Sequence, residues 1–145
     1  MSHIKLAEQI GDFATENKEA SVRDFLNEIA QKTTEQDFLL AVGYAVHYKD
    51  DKKTSIVCSR ILHALKTDID VEDRVKKLAA STENCHAAKV RVEMQSLFKS
   101  NLTTMEKAKV IADGVYYSNG PKEQSLLLRF LDSTYERNKD TGLEM

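Results

Sequence analysis

Proline is almost missing from this chain: Pro121 stands alone in 145 residues, and only five glycines accompany it. Both residue types interrupt helices, so their scarcity excludes a turn-rich β fold and a glycine-rich phosphate loop. Cysteine is scarce too. Cys58 and Cys85 are too few for a secreted disulfide framework, and both fall inside helical patterns, where a free thiol acts as a small apolar side chain. No apolar run approaches the roughly 18 residues that a membrane span needs. An excess of positive charge is also lacking: the formal net charge is −2, against the basic balance of a dedicated nucleic-acid binder. Met1–Gly11 has no apolar core flanked by basic residues, so no secretory signal is read and the expected location is the cytoplasm or the nucleus.

What is present is helical periodicity. A chain of this length makes one domain and can bury roughly two-thirds of its unfolded surface without metal or disulfide. Ile4, Ala7, Ile10 and Phe13 share one face of a first helix over 3–16. Ser21 with Asp24 predicts the start of a second, carrying Val22, Phe25, Leu26 and Ile29 inside. Thr34 with Asp37 repeats the device for a third, with Phe38, Leu39, Val42, Ala45 and Val46 buried. The polar run from Lys49 to Lys53 is a break. A fourth helix buries Ile56, Val57, Ile61, Leu62 and Leu65. Asp70 with Asp73 opens a short fifth through Val71, Val75, Leu78 and Ala79. Ser81 or Thr82 begins a sixth, with Ala87, Val90, Met94, Leu97 and Phe98 inside. Thr103 with Glu106 reads as a capping box ahead of a seventh, which buries Val110, Ile111 and Val115. Asn119-Gly120-Pro121 stops it, glycine suiting a left-handed helix end and proline the first turn of an eighth helix with Leu126, Leu127, Phe130, Leu131 and Tyr135.

The expected fold is therefore all-α: about eight antiparallel helices joined by short turns. A hairpin takes about 35 residues, close to the period of HEAT- or TPR-like arrays. A short α-solenoid and a compact helical bundle both satisfy the pattern, and no strict sequence repeat is visible. The domain is read as 1–138, with 139–145 a flexible tail. Residues 1–40 carry four basic and eight acidic side chains, an acidic arm suited to closing the end of an array.

The chemistry-bearing residues are dispersed. Cys58, His63, Cys85 and His86 have zinc-ligand atoms but poor spacing: Cys58 and His63 lie about 140° apart around a helix, where structural zinc prefers ligands two to four apart. No metal or cofactor is expected. Cys58 as a nucleophile would need a base, with His63 or His47 the nearest in sequence or on the neighbouring helix; a core cysteine between Val57 and Ile61 is the simpler reading. Tyr44 and Tyr48 share a helix face and fit a core edge better than a base-stacking platform. Lys89, Arg91, Lys99, Lys107 and Lys109, against Glu93 and Glu106, make a locally basic stretch. If the sixth and seventh helices pair, these gather into a ridge for an acidic partner or a nucleic-acid backbone. Asp50 and Asp51 read as loop solvation.

The stretch from Tyr48 through Asp50-Asp51-Lys52-Lys53 and Ile56-Val57-Cys58 to Leu65 resembles the acid-basic turn and following helix in the N-terminal repeats of subunit M of eukaryotic translation initiation factor 3, a PCI-domain scaffold family. Val90 to Phe98, ending in a Leu-Phe pair, is similar to another helix of that family. The likeness spans residues 48–98, about a third of the chain, and rests on spacing and apolar placement. It implies a non-enzymatic helical scaffold that docks other subunits; the winged helix that follows the repeats in that family has no counterpart here, and no functional residue carries over.

The leading expectation is a non-enzymatic protein–protein interaction scaffold or adaptor, a subunit of a larger intracellular complex. Its contact face would use rim apolar side chains, Leu102, Met105, Tyr116 and Tyr117, with flanking charges setting the partner. The alternatives are an RNA-binding helical module using the 89–109 ridge, and a small enzyme with a Cys/His site between helices.

Overall fold

The computed structural model describes residues 3–49, 56–118 and 120–144, with side chains through Asp132. Every regular element among them is helical: α1 (His3–Glu16), α2 (Glu19–Lys32), α3 (Glu35–Lys49), α4 (Ile56–Ala64), α5 (Glu72–Ser81), a 3₁₀ turn (Glu83–Cys85), α6 (Ala87–Lys99), α7 (Thr104–Tyr117) and α8 (Pro121–Glu144). The eight expected α-helices are present. The turn at Lys49–Lys53 and the Asn119 step lie largely outside the described residues. The backbone of α8 is helical to Glu144, past Asn138 where a tail is expected.

The cap signals divide. Thr103 and Glu106 form the full reciprocal box: the Glu106 N–H donates to Thr103 Oγ1 at 3.2 Å, and the Thr103 N–H donates to Glu106 Oε1 at 2.8 Å. Thr34 Oγ1 accepts from the Asp37 N–H at 3.1 Å. Ser21 caps nothing, because α2 starts earlier, at Glu19 after an extended Lys18. Asp70 acts one step ahead of α5, its carboxylate accepting the Glu72 N–H at 2.9 Å. Ser81 and Thr82 do not open α6. Their hydroxyls donate to the Leu78 and Ala79 carbonyls at 2.6 Å, closing the end of α5 instead. The chain then reverses through Asn84 and Cys85, both at positive φ, so α6 begins only at Ala87.

Burial follows the helical period with local shifts of phase. In α1 the buried face is Leu6, Ala7, Ile10 and Ala14; Ile4 is exposed and Phe13 half-buried against Phe25, their rings stacked 4.2 Å apart. Ile56 and Ala87, expected inside, are exposed in the first turns of their helices. Leu128, a position beyond the expected stripe of α8, is fully buried.

α3 differs from the rest. Phe38 through Gly43, Ala45 and Val46 are all buried, so this helix is apolar around most of its circumference and must be covered on several sides. Its neighbours are α1, α7 and α8, with α4 and α2 at its flank. Within residues 3–64, α1 lies on α3 and α2 on α4; within 72–132, α5 lies on α7 and α6 on α8. These are the contacts of a hairpin array. A continuing array would next stack α5 on α3. Instead α3 meets α7, and the exchanged pairs α3–α8 and α4–α7 flank that joint. A shift of four helices maps the main contacts of one half, α1–α3, α2–α4, α1–α2 and α3–α4, onto those of the other, and the packing is that of a compact helical bundle or a short solenoid. The joint is tight: a Cβ on Gly43 would come within 2.7 Å of Leu128 Cδ2 and 3.3 Å of Ile111 Cγ2. A clamp holds its end, where Lys107 Nζ pairs with Glu35 Oε1 at 2.9 Å and Thr104 Oγ1 donates to Glu35 Oε2 at 2.8 Å. Among the described residues no helix is long and apolar enough to cross a membrane.

Candidate functional site

α5 is a helix with two open flanks. It buries only Val75, Leu78 and Ser81 of its own residues, against α7 on one side and α6 on the other. Gly114 of α7 permits close approach, since a Cβ there would lie 2.7 Å from Leu78 Cδ2. The loop before α5 is fixed from outside: Arg23 Nη1 donates to the carbonyls of Ala64 at 3.2 Å and Lys66 at 2.8 Å. The Thr67 hydroxyl donates to the Ile69 carbonyl at 2.8 Å. This leaves Ile69 standing 54% exposed at the head of α5.

Between α5 and α7 lies a cleft of about 710 Å³. Val71, Val75 and Ala79 line its apolar side, Tyr117 stands at its mouth with 66% of its surface exposed, and Lys109 and Asp113 are set in its α7 wall. The α5–α6 flank carries smaller grooves of about 460 Å³ each, which share Lys77, Val92 and Glu93. Val92 is 62% exposed there, and Leu102 is part of the lining of one of them.

The polar wall of the cleft follows from the helix period. Lys109 and Asp113 are four apart on α7, so their side chains meet, with Nζ to Oδ2 at 3.1 Å. Lys109 Nζ also donates to the Leu62 carbonyl at 3.0 Å, one of the last-turn acceptors of α4. Burial pushes the Asp113 carboxyl up from its ordinary pKa, and the charges of Lys109 and His63 offset this only in part. Glu35 behaves oppositely. Burial raises it, but the hydrogen bonds from Lys107 and Thr104 outweigh that and hold its pKa low.

The expected contact residues separate. Tyr117 lines the α5–α7 cleft and Leu102 the α5–α6 groove, whereas Met105 and Tyr116 are half-buried against the core. The missed residues are Ile69, Val92 and Asp113; Lys109, expected on the basic ridge, pairs with Asp113 instead. Val92 carried a signal: it falls out of phase with the Val90, Met94 and Leu97 stripe of its own helix, and an off-phase apolar side chain marks a face without a cover.

The basic ridge is not assembled as expected. α6 packs on α5 and α8 rather than along α7. The Lys107 side chain is only 10% exposed and bound to Glu35, and Lys109 is turned into the cleft. Arg91 lies over the Phe130 ring at 5.5 Å. Lys89 and Lys99 remain exposed on α6.

Cys58 is fully buried, its thiol donating to the Val46 carbonyl at 3.4 Å, while His63 is exposed and engages Ser59 and Glu19. His47 contacts Gln124 Oε1 at 2.6 Å. Cys85, expected inside, is exposed on the 3₁₀ turn, because the chain reverses there rather than continuing a helix. No group of three or more metal-ligating side chains gathers among the described residues. Tyr44 and Tyr48 do share a face, their rings 5.7 Å apart, and His3 stacks on Tyr44 at 5.3 Å.

No family model, no curated protein and no solved structure matches this chain.

Proposed function

We propose that this protein is a non-enzymatic docking scaffold that receives a partner protein on the two flanks of α5. The supporting observation is the exposure of Ile69, Val92 and Tyr117 around one short helix, with a mainly apolar cleft on its α7 side and a groove of mixed apolar and charged lining on its α6 side. A surface with an apolar centre and a polar margin is the anatomy of a protein interface. The helix packs on α7 and α6, so both grooves are present before any partner arrives. Membership of a larger complex in the cytoplasm or nucleus, as the likeness to the PCI-domain scaffolds implies, accords with this role.

The reading is tested by reversing the character of the surface. Tyr117→Glu and Val92→Glu place a charge where the interface centre would sit, on side chains that carry little of the fold. Chemical crosslinking in the native cell, read by mass spectrometry, should show the wild-type partner set lost from both variants while circular dichroism stays unchanged. Partner sets identical to wild type in both would end the proposal.

A further inference from the structure

We propose that the α5–α7 cleft recognises an arginine side chain of the partner segment, with the guanidinium held between Asp113, Glu83 and the face of Tyr117. This rests on the docking function proposed above and specifies what the cleft takes.

Charge points the same way. The cleft is lined by four carboxylates, Asp70, Glu72, Glu83 and Asp113, against three ammonium groups, Lys66, Lys76 and Lys109. Two of the lysines are already committed: Lys76 pairs with Glu72 at 3.3 Å, and Lys109 with Asp113 at 3.1 Å. What is left facing an incoming chain is negative on balance. Lys109 approaches Asp113 Oδ1 at 3.3 Å and Oδ2 at 3.1 Å, spending one acceptor site on each oxygen of a carboxylate that offers about four. Lys109 Nζ also donates to the Leu62 carbonyl. Asp113 can therefore accept further donors, and the Lys109 charge is engaged by Asp113 and the Leu62 carbonyl. Burial without full compensation, visible in its raised pKa, is the state that a second cationic donor would relieve.

Shape selects arginine over lysine. Its planar fork gives two parallel donors, it stacks on a tyrosine face, and it sheds water more readily than an ammonium group. Its methylene stem would lie along Val75 and Ala79 while the charged head stays at the polar wall. A cleft of about 710 Å³ exceeds one side chain, leaving room for the arginine's apolar neighbours in the segment.

The test is a titration of the isotope-labelled full chain, followed by amide NMR at low salt. The probe is N-acetyl-arginine N-methylamide, with the citrulline analogue as its neutral isostere. The arginine probe should shift α5 and α7 amides and saturate in the range of about 1 mM or above. The citrulline analogue should leave them unmoved. Tyr117→Ala should weaken binding about two- to fivefold, and both Glu83→Gln and Asp113→Asn should weaken it further. Should Asp113→Asn fail to fold, Glu83→Gln, at an exposed site, carries the test. Silence with the arginine probe, equal shifts with citrulline, or shifts confined to other helices would overturn the proposal. Loss of the cellular partner set in Tyr117→Glu, together with a silent arginine probe, would mean that the surface docks a protein through other chemistry.

Discussion

Two carboxylates with opposite pKa shifts, the buried Asp113 of α7 and the partly exposed Glu35 of α3, set the pH response of this fold. Asp113 has its pKa raised in the folded chain, so folding favours its protonated form. Its contribution to stability is complete below its ordinary value of 3.8 and is lost as pH rises through the raised value. Asn at this position does not titrate. The stability of wild type minus that of Asp113→Asn should therefore fall across that window and flatten above it, as measured by paired urea unfolding from about pH 3 to pH 7. Glu35 carries the reverse sign. Its pKa is lowered, so its contribution is present above its ordinary value of 4.5 and disappears as pH drops through the lowered one. Glu35→Gln should cost about 1 kcal/mol at neutral pH, a figure kept modest because Glu35 is itself partly exposed, and the deficit should shrink in acid. A pH-independent deficit would mean that the Lys107 pairing is not its origin.

Among the elements, the reciprocal cap of α7 and the thin anchoring of α5 matter most. Thr103→Ala removes one side of the box, leaving Glu106 and a free amide in the first turn. The expected loss is about 1 kcal/mol, read as a lower urea midpoint with the slope unchanged. α5, held by few buried side chains, should exchange its amides far faster than α3 in native-state hydrogen exchange. Helix number and core stripes were legible because apolar side chains repeat at the helical period in every segment. Helix starts were less so. Ser and Thr hydroxyls serve either a following amide or a preceding carbonyl, and at Ser81 and Thr82 the carbonyl wins because the next residues turn at positive φ. The basic ridge failed for a related reason. A run of lysines shows charge but not the partner across the fold, and Glu35, distant in sequence, draws Lys107 inward.

The whole molecule depends on α3. Its eight buried residues meet both halves, so neither half covers its own apolar surface. The expected behaviour is one cooperative transition, coincident by fluorescence and circular dichroism. Gly43→Val should cost about 1–3 kcal/mol through overpacking against Leu128 and Ile111, without splitting that transition in two. A hairpin array can be anticipated from helix spacing; the packing of α3 on α7 cannot, because this contact joins segments far apart in the chain and only the all-round burial of α3 hints at it. The shared core leaves α5 with a groove along each of its contacts with α7 and α6, and those grooves are what the functional account stands on. The most direct measurement is site-specific photo-crosslinking in the native cell, with a photoreactive phenylalanine analogue placed in turn at Tyr117, Val92 and Glu28. Positions 117 and 92 should capture the same protein and position 28, on the outer face of α2, should not. Capture from position 28 alone, or equal capture from all three, would contradict the account.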